Sequence, residues 1–134
     1  METILVVDDD PVVLALARDI LAGEGYHVFE AAGGEDALRI AAEYAGPIHL
    51  LLTDVVMPGM SGRELADRLR SIRRETKVLF MSAFSAELLA DYGVISGDPL
   101  ITKPFTLADL THKVREILGC RSPFARPGGE GGRP

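Results

Sequence analysis

Four short runs, apolar or nearly so and each closed by a polar residue, constrain this chain more than anything else in it. Ile4-Leu5-Val6-Val7 leads into Asp8-Asp9-Asp10, and Leu50-Leu51-Leu52-Thr53 into Asp54. Val78-Leu79-Phe80-Met81 leads into Ser82, and Leu100-Ile101-Thr102 into Lys103. Runs of this length without alternation read as strands buried on both faces. If the strands are parallel, the polar residues that end them converge on one edge of the sheet. Carboxylates crowded there repel one another unless a cation neutralises them, so the pattern asks for a divalent metal. Lys103 beside them points to a ligand that is itself anionic, such as a phosphoryl group.

The stretches between these runs have helical spacing. Asp10 can cap a helix with Pro11 at its first position, and Val13, Leu16, Ala17, Ile20 and Leu21 follow before Gly25 ends it. Tyr26 to Ala31 reads as an edge strand interrupted by His27 and Glu30. Gly33-Gly34 opens a helix burying Ala37, Leu38, Ala41 and Ala45, which Gly46-Pro47 ends. After the Met57-Pro58-Gly59-Met60 loop, Ser61 and Glu64 have capping-box spacing ahead of Leu65, Leu69 and Ile72. Ser85 can cap a short fourth helix carrying Leu88, Leu89 and Tyr92. Thr106 and Asp109 start the fifth, whose Leu110, Val114, Ile117 and Leu118 point inward. Five such βα units predict an α/β fold, a doubly wound parallel sheet with five helices.

The expected domain covers residues 1–118. Residues 119–134 lack periodicity and are rich in Gly and Pro, which reads as a flexible tail or a linker cut short. A length of 134 residues suits one domain with a sizeable core. The net charge of -6 argues against nonspecific nucleic-acid binding, which needs a basic footprint. Arg63, Arg68, Arg70, Arg73, Arg74 and Lys77 cluster, and the reading is a solvated helix face. No apolar stretch reaches the roughly 20 residues of a membrane span. A lone Cys120 and the absence of a signal-peptide pattern at Met1-Glu2-Thr3 give the expectation of a cytoplasmic chain without direct membrane contact.

In an open α/β sheet, ligands bind beyond the carboxyl ends of the strands, where the winding direction reverses. In a five-stranded arrangement of this kind that crevice lies between the first and third strands, so Asp8, Asp9 and Asp54 meet there. Mg²⁺, with Mn²⁺ as a substitute, suits carboxylate and carbonyl oxygens. Ser82 and Lys103 flank the pocket. A carboxylate held by a metal and a lysine can accept a phosphoryl group, because the cations offset the incoming charge.

The motifs Val6-Val7-Asp8-Asp9, Thr53-Asp54-Val55-Val56-Met57-Pro58-Gly59-Met60-Ser61-Gly62, Ser82-Ala83 and Lys103-Pro104-Phe105 resemble those of bacterial response regulator receiver domains. The likeness covers residues 3–118, and its wording is similar to receivers of hybrid sensor histidine kinases. It implies the strand order 2-1-3-4-5 and a phosphoacceptor signalling module rather than an enzyme. By this resemblance Asp54 would take the phosphoryl group from the phosphohistidine of a histidine kinase or a histidine phosphotransfer domain. Asp9, Asp54 and the backbone carbonyl of Val56 would hold Mg²⁺, and Asp8 would support it through water. Lys103 would pair with the phosphoryl oxygens, Ser82 would turn toward them, and a downstream protein would dock on the face of the fourth helix, fifth strand and fifth helix. The resemblance also implies a cis Lys103-Pro104 bond. Val56 and Phe84 occupy the two positions that tune hydrolysis in the family. Leu100 stands where many receivers carry an aromatic switch residue.

Two other functions fit parts of the pattern. An aspartyl-nucleophile phosphatase or phosphotransferase usually has a second acid two residues after the nucleophile, and Val56 cannot serve. A pseudo-receiver that only binds partners would not need Asp9, Asp54, Ser82 and Lys103 together. His27, His49 and His112 are scattered, and His49 reads as a packed, satisfied histidine.

Overall fold

The computed structural model describes residues 1–84, 89–94 and 97–119. Strands β1 (Thr3–Val7), β2 (His27–Ala31), β3 (Leu50–Asp54), β4 (Lys77–Ser82) and β5 (Leu100–Thr102) form one parallel sheet in the order β2-β1-β3-β4-β5. Around it run helices α1 (Pro11–Gly23), α2 (Gly34–Glu43), α3 (Gly62–Ile72) and α4 (Leu107–Leu118), with a 3-10 turn at Ala90–Tyr92. The expected parallel sheet and its order are therefore observed. Of the expected helix after β4, Ser85 and Leu88 lie outside the described residues, as do 120–134 of the expected tail.

The unbroken apolar runs have a simple cause. Leu5, Val7, Leu51 and Phe80 face α2 and α3, where Ala37, Ala41, Leu65 and Leu69 meet them. Their neighbours Ile4, Val6, Leu50, Leu52, Leu79 and Met81 face α1 and α4, against Ala17, Leu21, Leu110 and Val114. Because side chains alternate along a strand, each core strand must be apolar on both faces, and polar residues are displaced to its ends.

The helix ends follow the sequence closely. Asp10 accepts the Val12 N–H at 2.9 Å, and Pro11 opens α1. Thr106 and Asp109 form a reciprocal capping box, with bonds of 3.0 and 3.1 Å. Ser61 Oγ accepts from Glu64 N at 3.2 Å, but Glu64 directs its carboxylate to Arg68 at 2.7 Å rather than back to Ser61. The left-handed Gly119 ends α4. The Lys103-Pro104 peptide is cis.

Four expectations require correction. Ile72 is 57% exposed and Leu16 46%, because the apolar stripes of α3 and α1 are wider than the surfaces that cover them. Tyr92, read as part of the short helix after β4, instead ends the 3-10 turn and is 42% exposed. Helix α2 stops at Glu43, leaving Ala45 exposed, while Tyr44 turns to extended backbone and packs against Phe29 and His27. Finally, Arg73 is not part of a solvated face. Its guanidinium donates to Ala41 O at 2.9 Å, to Gly46 O at 2.8 Å and to Tyr44 O, tying the end of α3 to the turn that leads into β3. His49 is satisfied as expected: its Nδ1 accepts the Thr3 N–H at 2.9 Å and its own N–H donates to Thr3 O at 2.8 Å.

The Arg73 guanidinium supplies donors to three carbonyls that a neighbouring helix end cannot satisfy alone. Arg73→Ala should therefore cost about 2 kcal/mol, the scale of charged hydrogen bonds. The measurement is the midpoint of urea unfolding, and an unshifted midpoint would show that these bonds contribute nothing.

Candidate functional site

The strand register assembles the site. Val7 pairs with Thr53 and Asp54 with Met81, so the residues that follow β1, end β3 and end β4 arrive at one edge. Carboxylate oxygens of Asp8, Asp9 and Asp54 all lie within 4.8 Å of one another. Asp8 and Asp54 are buried, whereas Asp9 is exposed at the rim. Lys103 Nζ reaches back from the loop after β5, 2.9 Å from Asp8 Oδ2 and 3.3 Å from Asp54 Oδ1. Its own N–H donates to Ser82 O at 2.8 Å, which fixes that loop against β4.

Main-chain groups orient the acids. Asp8 Oδ1 accepts the Asp10 N–H at 2.9 Å, and Asp54 Oδ1 accepts the Val55 N–H at 3.0 Å. Ser82 is buried at the end of β4, and its Oγ accepts the Phe84 N–H at 3.0 Å. Val56 sits half-buried in the bend after Asp54, and Phe84 stands exposed two residues after Ser82. Leu100 is half-buried beside Phe80 on the neighbouring strand.

Three carboxylates against one ammonium leave two negative charges uncompensated, all on hard oxygen donors. That donor set fits a divalent cation of the Mg²⁺ type. Burial, and then the charge of Asp8, push the Asp54 carboxyl above the ordinary carboxylate range, although Lys103 and the Val55 N–H pull it down. Burial works against the charged form of Lys103, but the Asp8 hydrogen bond and the charges of Asp54 and Asp8 outweigh it and raise its pKa. The ammonium thus stays charged.

Two neighbours of Asp54 were not singled out from the sequence. Thr53 Oγ1, fully buried, donates to Asp54 O at 2.9 Å. Gly62 lies so close that a Cβ would come 2.2 Å from Asp54 O. The visible signals were a hydroxyl inside an apolar run and a glycine at a helix start, where its poor propensity asks for a packing reason.

Residues 4–115 match the family model of the response regulator receiver domain. The chain belongs to this family of two-component signalling modules. It is 35% identical over 119 residues to the response regulator receiver protein CpdR of Brucella abortus, covering 88% of this chain and 98% of that one. It is 34% identical over 117 residues to the sensor kinase CckA of the same organism, covering 87% of this chain but 12% of the kinase. The chain spans about half or less of several curated relatives it matches. The solved structure of TrrA from Thermotoga maritima, in complex with Mg²⁺-BeF, superposes with a TM-score of 0.75 at 34% identity, covering 88% of this chain and all of that one. Among the described residues, no helix is long and apolar enough to cross a membrane.

A carboxyl whose folded pKa lies above its unfolded value stabilises the fold below that unfolded value, and the contribution is lost as pH rises through the folded one. At neutral pH the Asp54 charge is therefore a cost to the metal-free protein. Asp54→Asn should raise its melting temperature by about 3 °C or more at pH 7. The gap should close as pH falls toward about 4 and below, where the wild-type carboxyl is itself protonated. Calorimetric melts across pH check this, and a mutant that melts lower at pH 7 contradicts it.

Proposed function

We propose that the protein is a phosphoacceptor switch in which Asp54 receives a phosphoryl group from a phosphohistidine. The observation that carries this reading is the convergence of Asp8, Asp9, Asp54 and Lys103 at one edge of the sheet. In the transfer, an Asp54 carboxylate oxygen bonds to phosphorus as the phosphorus–nitrogen bond breaks. The electron pair returns to the imidazole nitrogen, and the product is an acyl phosphate. Lys103 already lies 3.3 Å from Asp54, so its ammonium can move onto the phosphoryl oxygens without leaving the site. Ser82 can release the Phe84 N–H and offer its hydroxyl to the same oxygens.

Asp9, Asp54 and the Val56 carbonyl would hold Mg²⁺ or Mn²⁺, with Asp8 behind them through water. When bound, the ion supplies positive charge that offsets the charge on the phosphoryl oxygens. The likeness to TrrA in its Mg²⁺-BeF complex supports this assignment. The role is that of a signalling module in the cytoplasm, without nucleic-acid or direct membrane contact. Its donor is a histidine kinase or a histidine phosphotransfer domain, the first in keeping with the similarity to CckA. Output would run through a protein docked on the segment after β4, β5 and the C-terminal helix α4. A groove of about 660 Å³ on this face, lined by Leu100, Thr102, Pro104 and His112 among others, supports that choice.

Two measurements test the reading. Incubation with Mg²⁺ and a small phosphodonor should add one phosphoryl group to the wild type and none to Asp54→Asn, as read by intact mass. Equal labelling of the mutant would sink the assignment.

The second measurement concerns lifetime. Hydrolysis needs a water aligned with the Asp54–phosphorus bond, and neither Val56 nor Phe84 can orient one or take its proton. The phosphorylated state should therefore decay slowly. A Val56→Asn, Phe84→Glu double mutant should lose label about tenfold faster, the scale of one hydrogen bond to the attacking water. Equal decay would place control of water access elsewhere.

A further inference from the structure

We infer that Thr53 and Gly62 are positioning residues for the acceptor, acting through the single peptide plane that joins Asp54 to Val55. The inference rests on the reading of Asp54 as acceptor and adds how its carboxylate is aimed. A peptide unit is rigid, so the Asp54 carbonyl and the Val55 N–H at its two ends must tilt together. The N–H end donates to Met81 O at 3.1 Å on β4 and to Asp54 Oδ1 at 3.0 Å. It therefore sets the direction of the reactive carboxylate. The carbonyl end accepts the Thr53 hydroxyl at 2.9 Å, a donor that is itself fully buried.

Gly62 closes the other side. A Cβ there would lie 2.2 Å from Asp54 O and 3.1 Å from both Asp54 C and Val55 Cα, all main-chain atoms that cannot swing aside. The Gly62 N–H donates to Val55 O at 2.8 Å, so the start of α3 is fastened to the same segment. Other glycines behave differently. At Gly34 the nearest atom is Met60 Sδ, the flexible end of a side chain, and at Gly33 nothing lies within 4 Å. Helix α3 thus approaches β3 as closely as it does because residue 62 has no side chain, and that approach holds the plane in place.

The test uses Thr53→Val, Thr53→Ser, Gly62→Ala and, as a control for adding a methyl in open space, Gly33→Ala. Two quantities are read well below the melting temperature: the initial rate of phosphorylation by phosphoramidate at saturating Mg²⁺, and the Val55 amide resonance in the metal-free protein. Thr53→Val keeps the shape and loses the hydroxyl. It should shift the Val55 amide and slow phosphorylation about tenfold, since small misplacements of reacting groups are costly. Thr53→Ser keeps the hydroxyl and should restore both readings. Gly62→Ala should shift the same amide and slow the reaction at least as much, and Gly33→Ala should change neither. Should Gly62→Ala not fold, the Thr53 pair decides alone. The inference is overturned if Thr53→Val reacts like wild type, if Val and Ser are slowed equally, or if the rate falls with the Val55 amide unmoved. A wild type that takes no phosphoryl group would overturn the acceptor reading and this inference together, a result distinct from any of these.

Discussion

The ammonium of Lys103 between Asp8 and Asp54 is the interaction on which the C-terminal edge of the sheet depends. Both acids are buried, and two neighbouring carboxylates taken out of water repel one another at short range. One cation shared between them offsets part of that repulsion, and the remainder explains why burial and Asp8 leave the Asp54 carboxyl above its usual range. The site is therefore under electrostatic tension that the rest of the sheet must hold. It does so with main-chain bonds: Asp10 N–H to Asp8, Val55 N–H to Asp54, and Lys103 N–H to Ser82.

Most of the architecture was legible in the sequence because a parallel sheet buried on both faces leaves little choice. Its strands must be apolar throughout, so their ends stand out, and the chemistry collects at those ends. The caps at Asp10 and Thr106 were equally plain, because a short polar side chain before a helix has a local partner to satisfy. The candidate site was legible for the same reason: its residues are strand ends. What the sequence did not disclose depends on long-range packing. Arg73 reads as one more surface cation until three carbonyls from the far end of α2 are brought to it. Tyr44 reads as helical until Phe29, on another element, draws it away. Leu16 and Ile72 fall on the apolar stripe by spacing, yet nothing among the described residues covers them fully.

Leu100 stands where the likeness of the sequence motifs to receiver domains implies an aromatic switch residue. It pairs with Phe80 and is half-buried. A leucine has neither a hydroxyl to trade between water and protein nor a flat ring to slide behind Ser82. A conformational change driven by the proposed phosphorylation of Asp54 would have to proceed without a ring moving there. The main chain already connects the relevant parts, since β5 continues into Lys103, whose N–H is bonded to Ser82 O.

The bond between Lys103 and Asp8 also has a bearing on the order in which the molecule is made. Its partners stand 95 positions apart in the chain. A growing polypeptide that has completed β1, β3 and β4 carries both buried acids without their ammonium, and closure of so long a loop is slow. The sheet can collapse early around its apolar strands, but its acidic edge stays ajar until the last strand docks. The acidic edge cannot gain its ammonium before β5 and the loop after it are made, so a nascent chain that lacks them carries Asp8 and Asp54 without Lys103 between them.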